Sequence, residues 1–512
     1  MSVVSVPWLF RLPNTWLVSL LSEWLDMPSI GKLDTAISDR NHRPQFLLSL
    51  QCMRSTSVDT FSDRVAGKLG WKFGEWMISW WRWLSVRQIY IQMLTLHGND
   101  ARSDLVVSSL QKVIATTWFK DEDLFYLVRN CPTLRSLSIE LMHEPRHRKS
   151  VDLTGLKSLP NLRESLEEFS FSISIENSSF LEYFSVRIAA ALIDVFYQCS
   201  RLQKVSLMGD SLRSVNTESL LPYGHLFHEL WFKNNHNTVP HLLNSCSNLR
   251  KVFFDRARYD EENDRLLLTA LGQSCPLLEE LVMSRLSLRL SDADVVSRFS
   301  LHCNQLRVLS LRSCDLSASS LRILAGLEVL EELILDCCVG LTDACMAAVS
   351  TMKLAVLRIS VVSLHNELSG DCLRSFVEST ISQTLETFSF NIRCRAARVD
   401  DVQLATALAS CHKLKNLYLN WSWHEGCVFG RNGLEGLQAM ATGCPLLADI
   451  ELYLTTSGVY CLATHCTSLQ ICKVLSARDT EAMPHPEDSP SVEDVQALYP
   501  GVSWLLLYPV VY

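Results

Sequence analysis

Two copies of one leucine triplet, 24 residues apart, constrain this chain more than any other feature. Leu306, Leu309 and Leu311 stand at i, i+3 and i+5, and Leu330, Leu333 and Leu335 repeat them. The leucine-x-leucine end of each triplet is a short strand whose alternate side chains face one way. The intervening LSASSLRILAGL sets Leu316, Leu321, Leu324 and Leu327 on one side of a helix. One unit of this size cannot bury its own apolar face. It needs like neighbours above and below, so the pattern predicts a stacked solenoid.

The triplet recurs along most of the chain. It reads Val86-Ile89-Ile91, Leu134-Leu137-Ile139, Leu166-Phe169-Phe171, Leu202-Val205-Leu207, Phe227-Leu230-Phe232, Leu249-Val252-Phe254 and Leu278-Leu281-Met283 before the two copies above. After them come Leu354-Leu357-Ile359, Leu385-Phe388-Phe390, Leu414-Leu417-Leu419, Leu447-Ile450-Leu452, Leu469-Cys472-Val474 and Val502-Leu505-Leu507. This gives about 15 units over 83–512 at a mean period near 30. The long gap after the first triplet leaves room for a degenerate unit in LVVSSLQKVIATTWF. LEELILDCCVGLTDACMAAV, with its Leu341-Thr342-Asp343 helix entry, fits the pattern CxxLxxLxLxxC plus loop and helix. That pattern resembles the cysteine-containing leucine-rich repeats common in F-box proteins. The resemblance implies an α/β fold, a right-handed horseshoe-shaped solenoid with a parallel β-sheet on its concave face and helices on its convex face.

The chain has 512 residues, 48% hydrophobic and 20% charged, with net charge −8. Neither nucleic acid nor an anionic membrane is favoured by that balance. Of 18 cysteines, Cys131, Cys199, Cys246, Cys275, Cys303, Cys411, Cys444 and Cys466 share one position, three residues before a core leucine. Thiols recurring in register behave as small apolar side chains, so they read as a reduced ladder in a cytoplasmic or nuclear protein. The apolar start MSVVSVPWLFRLPNTWLVSLL lacks the basic head and small-residue cleavage site of a signal peptide. No run approaches the roughly 20 apolar residues of a membrane span.

Residues 1–50 read as a small helical element and 51–82 as a connector. Leu12-Pro13 opens the element, and Trp16, Leu17, Leu20, Leu21 and Leu25 follow at helical spacing up to Pro28. LPNTWLVSLLSEWLDMPSIGKLDTA, Leu12 to Ala36, resembles the F-box. The resemblance implies that Leu12, Pro13, Leu17, Leu20, Leu21 and Leu25 meet a Skp adaptor and, through it, a cullin. The other reading is a cap sealing the apolar edge of the first repeat, which every solenoid needs. Trp76, Trp80, Trp81 and Trp83 in the connector read as a hydrophobic seam against the repeats. Two insertions, the basic MHEPRHRKSVDL from Met142 and the acidic, proline-rich 476–494, read as solvated loops.

Catalytic signatures are few. His143-Glu144-Pro145-Arg146-His147 satisfies HExxH, but zinc binding needs a continuous helix, and Pro145 sits inside it. Cys337, Cys338 and Cys345 resemble a ligand group, yet Cys337 falls on the second cysteine position of the repeat and Cys345 on its helix. With no CxxC pair, P-loop, strand-linked GxGxxG or GxSxG, the chain reads as a non-enzyme needing no cofactor or metal.

The residues between core leucines point onto the concave face. Arg250, Arg307, Arg312, Lys233, Asn391, Asn420, Asp449 and Glu451 stand there with the aromatic residues Trp231, Phe253, Tyr418, Trp421 and Tyr453. Trp231 with Phe253, and Tyr418 with Tyr453, are expected on adjacent strands as two aromatic patches for a protein partner. The expectation is a non-catalytic interaction module: a substrate-recognition subunit of an SCF-type ubiquitin ligase if the F-box resemblance holds, otherwise a scaffold or inhibitor with a capped end.

Overall fold

In the computed structural model the described residues are 56–59, 91–97, 110–119, 121–143, 154–175, 181–209, 217–233, 239–255, 261–285, 287–288, 293–361, 368, 373–377, 379–392, 401–421, 434–454, 456–475, 496 and 502–507. The adaptor residues expected between Leu12 and Leu25, the tryptophan cluster and the acidic insertion lie outside them. The chain divides into two compact units, Met1–Lys233 and Asn234–Tyr512.

The first unit is built on strands β1 (Thr56–Asp59), β2 (Ile91–His97), β3 (Lys112–Phe119), β4 (Ser136–His143), β5 (Glu168–Ile175), β6 (Lys204–Gly209) and β7 (Phe227–Lys233). Each pairs in parallel with the next. A parallel neighbour requires a crossover. From β3 onward, helices α1 (Asp121–Asn130), α2 (Thr154–Ser158) and α3 (Leu181–Gln198) and a 3-10 segment at Thr217–Leu226 supply them. Register carries the triplets upward: Leu137 pairs with Phe169 and Ile139 with Phe171, and these in turn with Val205 and Leu207. All six are buried. The degenerate unit is a true strand, β3, with Leu110 and Val113 in the core. The triplet Val86-Ile89-Ile91 is corrected: register places Leu94 opposite Val113, so β2 begins where that triplet ends.

In the second unit, β8 (Lys251–Asp255), β9 (Glu280–Ser284), β11 (Val308–Arg312), β13 (Glu332–Asp336), β14 (Val356–Val361), β15 (Thr387–Ile392), β16 (Asn416–Trp421), β17 (Asp449–Leu452), β18 (Ile471–Leu475) and β19 (Ser503–Leu507) form one parallel ladder. Helices α4 (Val239–Leu243), α5 (Glu261–Ser274), α6 (Ala293–His302), α7 (Ala318–Leu324), α8 (Asp343–Val349), α9 (Asp401–Leu408), α10 (Glu435–Gly443) and α11 (Thr456–His465) alternate with the strands. Both units are α/β leucine-rich-repeat solenoids. Leu309, Leu333, Leu357, Phe388, Leu417 and Ile450 form one buried row, and Leu311, Leu335, Ile359, Phe390, Leu419 and Leu452 the next. Each row is an apolar spine shared by neighbours, which is why no unit is stable alone.

The regular core of this unit shows how the turn after each strand is made. Arg285, Ser313 and Cys337 adopt left-handed backbone (φ 57°, 49° and 54°) at the same repeat position. Their amides still donate to the next strand, at 2.7, 2.7 and 2.8 Å, so the turn costs no backbone hydrogen bond. Past the turn, the short strands β10 (Ser287–Leu288) and β12 (Asp315–Leu316) pair, and Val339 bridges to Asp315. Gly340, with φ of 78°, follows; a Cβ there would come 2.4 Å from the Leu316 carbonyl oxygen, so only glycine fits. Ser317 then caps α7, accepting from the Ser320 amide.

The cysteine ladder lies in the core of each unit. Cys131, Cys199, Cys246, Cys275, Cys303, Cys411, Cys444 and Cys466 are buried. Cys275, Cys303 and Cys444 donate across the unit boundary to the carbonyls of Leu243, Leu271 and Leu408, at 3.8, 3.7 and 3.2 Å. Each thiol thus ties a helix end to the next unit. Burial pushes the Cys303 thiol up to about 12 and that of Cys411 to about 11. The second cysteine position needs correction: Cys314 and Cys338, not Cys337, occupy it, donating to Met283 and Leu311 at 3.6 and 3.2 Å. Cys337 is the turn residue.

Candidate protein-interaction face

Strand alternation makes the site. In β8, β9 and β13 buried and half-exposed residues alternate, so each core residue leaves a neighbour on the sheet face opposite the helices. This is the face read as concave. In the second unit its central row runs Phe253, Val282, Ser310, Ile334, Arg358, Ser389, Tyr418, Glu451 and Lys473.

Ion pairs cross from strand to strand along this face. Arg250 pairs with Glu279, Lys251 with Glu280 (2.9 Å), Arg307 with Glu331 (2.7 Å), Arg358 with Glu332 (3.7 Å), Lys415 with Glu386 (2.8 Å) and Lys473 with Glu451 (3.8 Å). The Glu331 carboxylate, by hydrogen bond and by charge, also raises the Arg307 guanidinium further above its ordinary value. Exposed pairs of this kind contribute about 0–1 kcal/mol each. Their larger effect is positional, since each holds a long side chain against the sheet.

Tyr418 is the best-ordered aromatic of the face. Its hydroxyl donates to Asp449 Oδ2 at 2.9 Å, and the Lys473 ammonium sits 5.7 Å from its ring centre. Desolvation by burial, then the Asp449 bond, push its phenol up to about 12. Asp449 and Lys473 belong to β17 and β18, and triplet alignment sets Lys473 beside the face because it, like Tyr418, follows the middle core residue.

The remaining expected residues divide. Trp231 on β7 is 36% exposed and closes the first unit. Phe253, half-buried, belongs to the second unit. Arg312 is exposed on the sheet face at the end of β11, Arg250 and Arg307 are exposed just before β8 and β11, and the backbone of Lys233 ends β7. Two placements are corrected. Tyr453 is only 5% exposed, because β17 ends at Leu452 and the alternation stops there; the expected Tyr418–Tyr453 patch is therefore Tyr418 alone. Trp421 pairs with Ile392, itself opposite buried Val361, so its backbone falls in a core-side row. Three of the polar residues expected here, Asn391, Asn420 and Asp449, each bury Oδ1 without a protein donor.

His143 ends strand β4, so the HExxH stretch does not begin on a helix. Among the described residues no group of three or more His, Cys, Asp or Glu side chains is placed to hold a metal. No helix among them is long and apolar enough to cross a membrane.

No protein-family model matches this chain, and no curated protein matches it in sequence. Solved structures that resemble it include an internalin, InlF, from Listeria monocytogenes, at 13% identity over 69% of this chain and 88% of that one (TM-score 0.37). The yeast Rad7 and Elc1 complex matches at 13% identity over 94% and 98% (TM-score 0.36). The complex of TLR13 with ssRNA13 matches at 12% identity over 91% and 69% (TM-score 0.42).

Proposed function

We propose that this chain is a non-catalytic protein-interaction module whose partner lies on the sheet face opposite the helices. One observation carries the reading: an aromatic side chain, Tyr418, is held half-buried on that open face by Asp449 and Lys473, amid ion-paired rows. Fixed aromatics beside arginines are the composition of binding hot spots, because little conformational freedom is lost when a partner covers them. Such a module supplies proximity, not bond chemistry.

The finer reading is that of a substrate-recognition subunit of an SCF-type ubiquitin ligase. It rests on the F-box resemblance of Leu12 to Ala36, in which Leu12, Pro13, Leu17, Leu20, Leu21 and Leu25 meet the Skp adaptor. Co-purification of the full-length protein with Skp adaptor and cullin tests it, against a deletion of residues 1–50 and the pair Leu17→Asp, Leu20→Asp. The expected result is a complex with the wild type and none with the double variant, at unchanged melting temperature. If no adaptor associates and the double variant melts early, residues 1–50 are a cap, and the protein is a scaffold or inhibitor.

A further inference from the structure

Asn391 on β15 and Asn420 on β16 are register partners, so their carboxamides stand side by side on strands about 4.8 Å apart. Each Oδ1 is buried and accepts nothing, and the same holds for Asp449 Oδ1 on β17. Six side-chain atoms are orphaned in this way among the described residues, and three of them fall on these three successive strands. A buried acceptor without a donor has lost its water and gained nothing, so these groups call for an explanation.

The terminal torsion of asparagine is soft, and a rotation about it turns the oxygen outward. Each carboxamide then offers one acceptor and two donors, in either amide orientation. Two of them side by side complement the N–H and C=O groups of a peptide main chain. Ser360 and Ser389, beside Asn391 and Tyr418 in register, are short and leave the approach open. Asp449 is acceptor-only. Its Oδ2 takes the Tyr418 hydroxyl, and no cationic nitrogen pairs with it among the described residues, which leaves an uncompensated carboxylate beside Glu451. Register sets Asp449 opposite Asn416, so this cation-complementing carboxylate lies about 13 Å along the strands from the asparagine pair, within the span of one extended segment.

Resting on the reading of this face as a protein-binding surface, we propose that β15–β17 takes an extended segment of the partner bearing a lysine or arginine. Its main chain bonds Asn391 and Asn420, and its cation reaches Asp449.

The test pans a random dodecapeptide phage library on the full-length protein, then measures the selected peptides on variants. Enrichment in lysine and arginine is expected, with affinity falling at least about tenfold in Asn391→Ala/Asn420→Ala and in Asp449→Asn, and unchanged in Arg322→Ala on the helical side. The melting temperature of the asparagine variants stays level or rises, since an unsatisfied acceptor has been removed; a structural role would lower it. Single Asn391→Ser and Asn420→Ser variants repeat the comparison should the alanine pair fold poorly. Acidic or apolar peptides, or peptides lost to Arg312→Ala and not to the asparagine pair, overturn this inference while leaving the protein-binding face intact. Peptides indifferent to every variant of the face, or a library yielding none, overturn both.

Discussion

Tyr418 shows at the scale of one residue how the face is prepared. Its phenol is raised to about 12 by burial and by the bond to Asp449, above the ordinary tyrosine value of about 10. The proton is therefore held more tightly in the folded protein. The associated stability is fully present below pH about 10 and is lost as pH rises to about 12. Ultraviolet titration, with Tyr418→Phe subtracted, should show one phenol ionising near 12 in the wild type and markedly lower in Asp449→Ala; ionisation near 10 in the wild type would contradict the geometry. Tyr418 itself was legible in the sequence, from its place between Leu417 and Leu419. Tyr453 was misread, because its exposure depends on where a strand stops, and no residue near it marks that end.

At the scale of the element, the leucine triplets carried nearly everything. Every triplet residue from Leu134 to Leu452 is buried. The last triplet fails instructively. Val502-Leu505-Leu507 was chosen from WLLL, where any two alternate positions look alike, yet Cys472 and Val474 pair with Trp504 and Leu506. Leu505 is accordingly 48% exposed. A one-residue slip exchanges the two faces of a strand, and periodicity cannot resolve it inside an unbroken apolar run.

Between helices the limiting contact is backbone on backbone. Gly443 ends α10 where an added Cβ would meet the Ala409 carbonyl oxygen at 2.1 Å and its carbon at 2.8 Å. Neither atom can swing aside as a side chain would. Gly443→Ala should cost about 1–3 kcal/mol and lower the melting temperature, and an unchanged melting temperature would show that α9 and α10 can separate without penalty.

For the whole molecule, each solenoid unit gathers side chains from distant parts of the chain into continuous rows, and function depends on which side of the sheet those rows face. The helical side also exposes apolar residues, among them Tyr197 (78%) on α3 and Leu301 (72%) on α6, so exposure alone does not single out a binding surface. The proposed surface rests instead on Tyr418, held by Asp449 and Lys473 on the sheet side. The most direct measurement is site-specific photo-crosslinking in cells, with a benzophenone amino acid at Trp231, Arg312 or Arg358 on the sheet side and at Tyr197 or Leu301 on the helical side. A discrete protein adduct is expected from the sheet positions and none from the helical ones. Adducts from the helical positions alone, or equally from both, would contradict it.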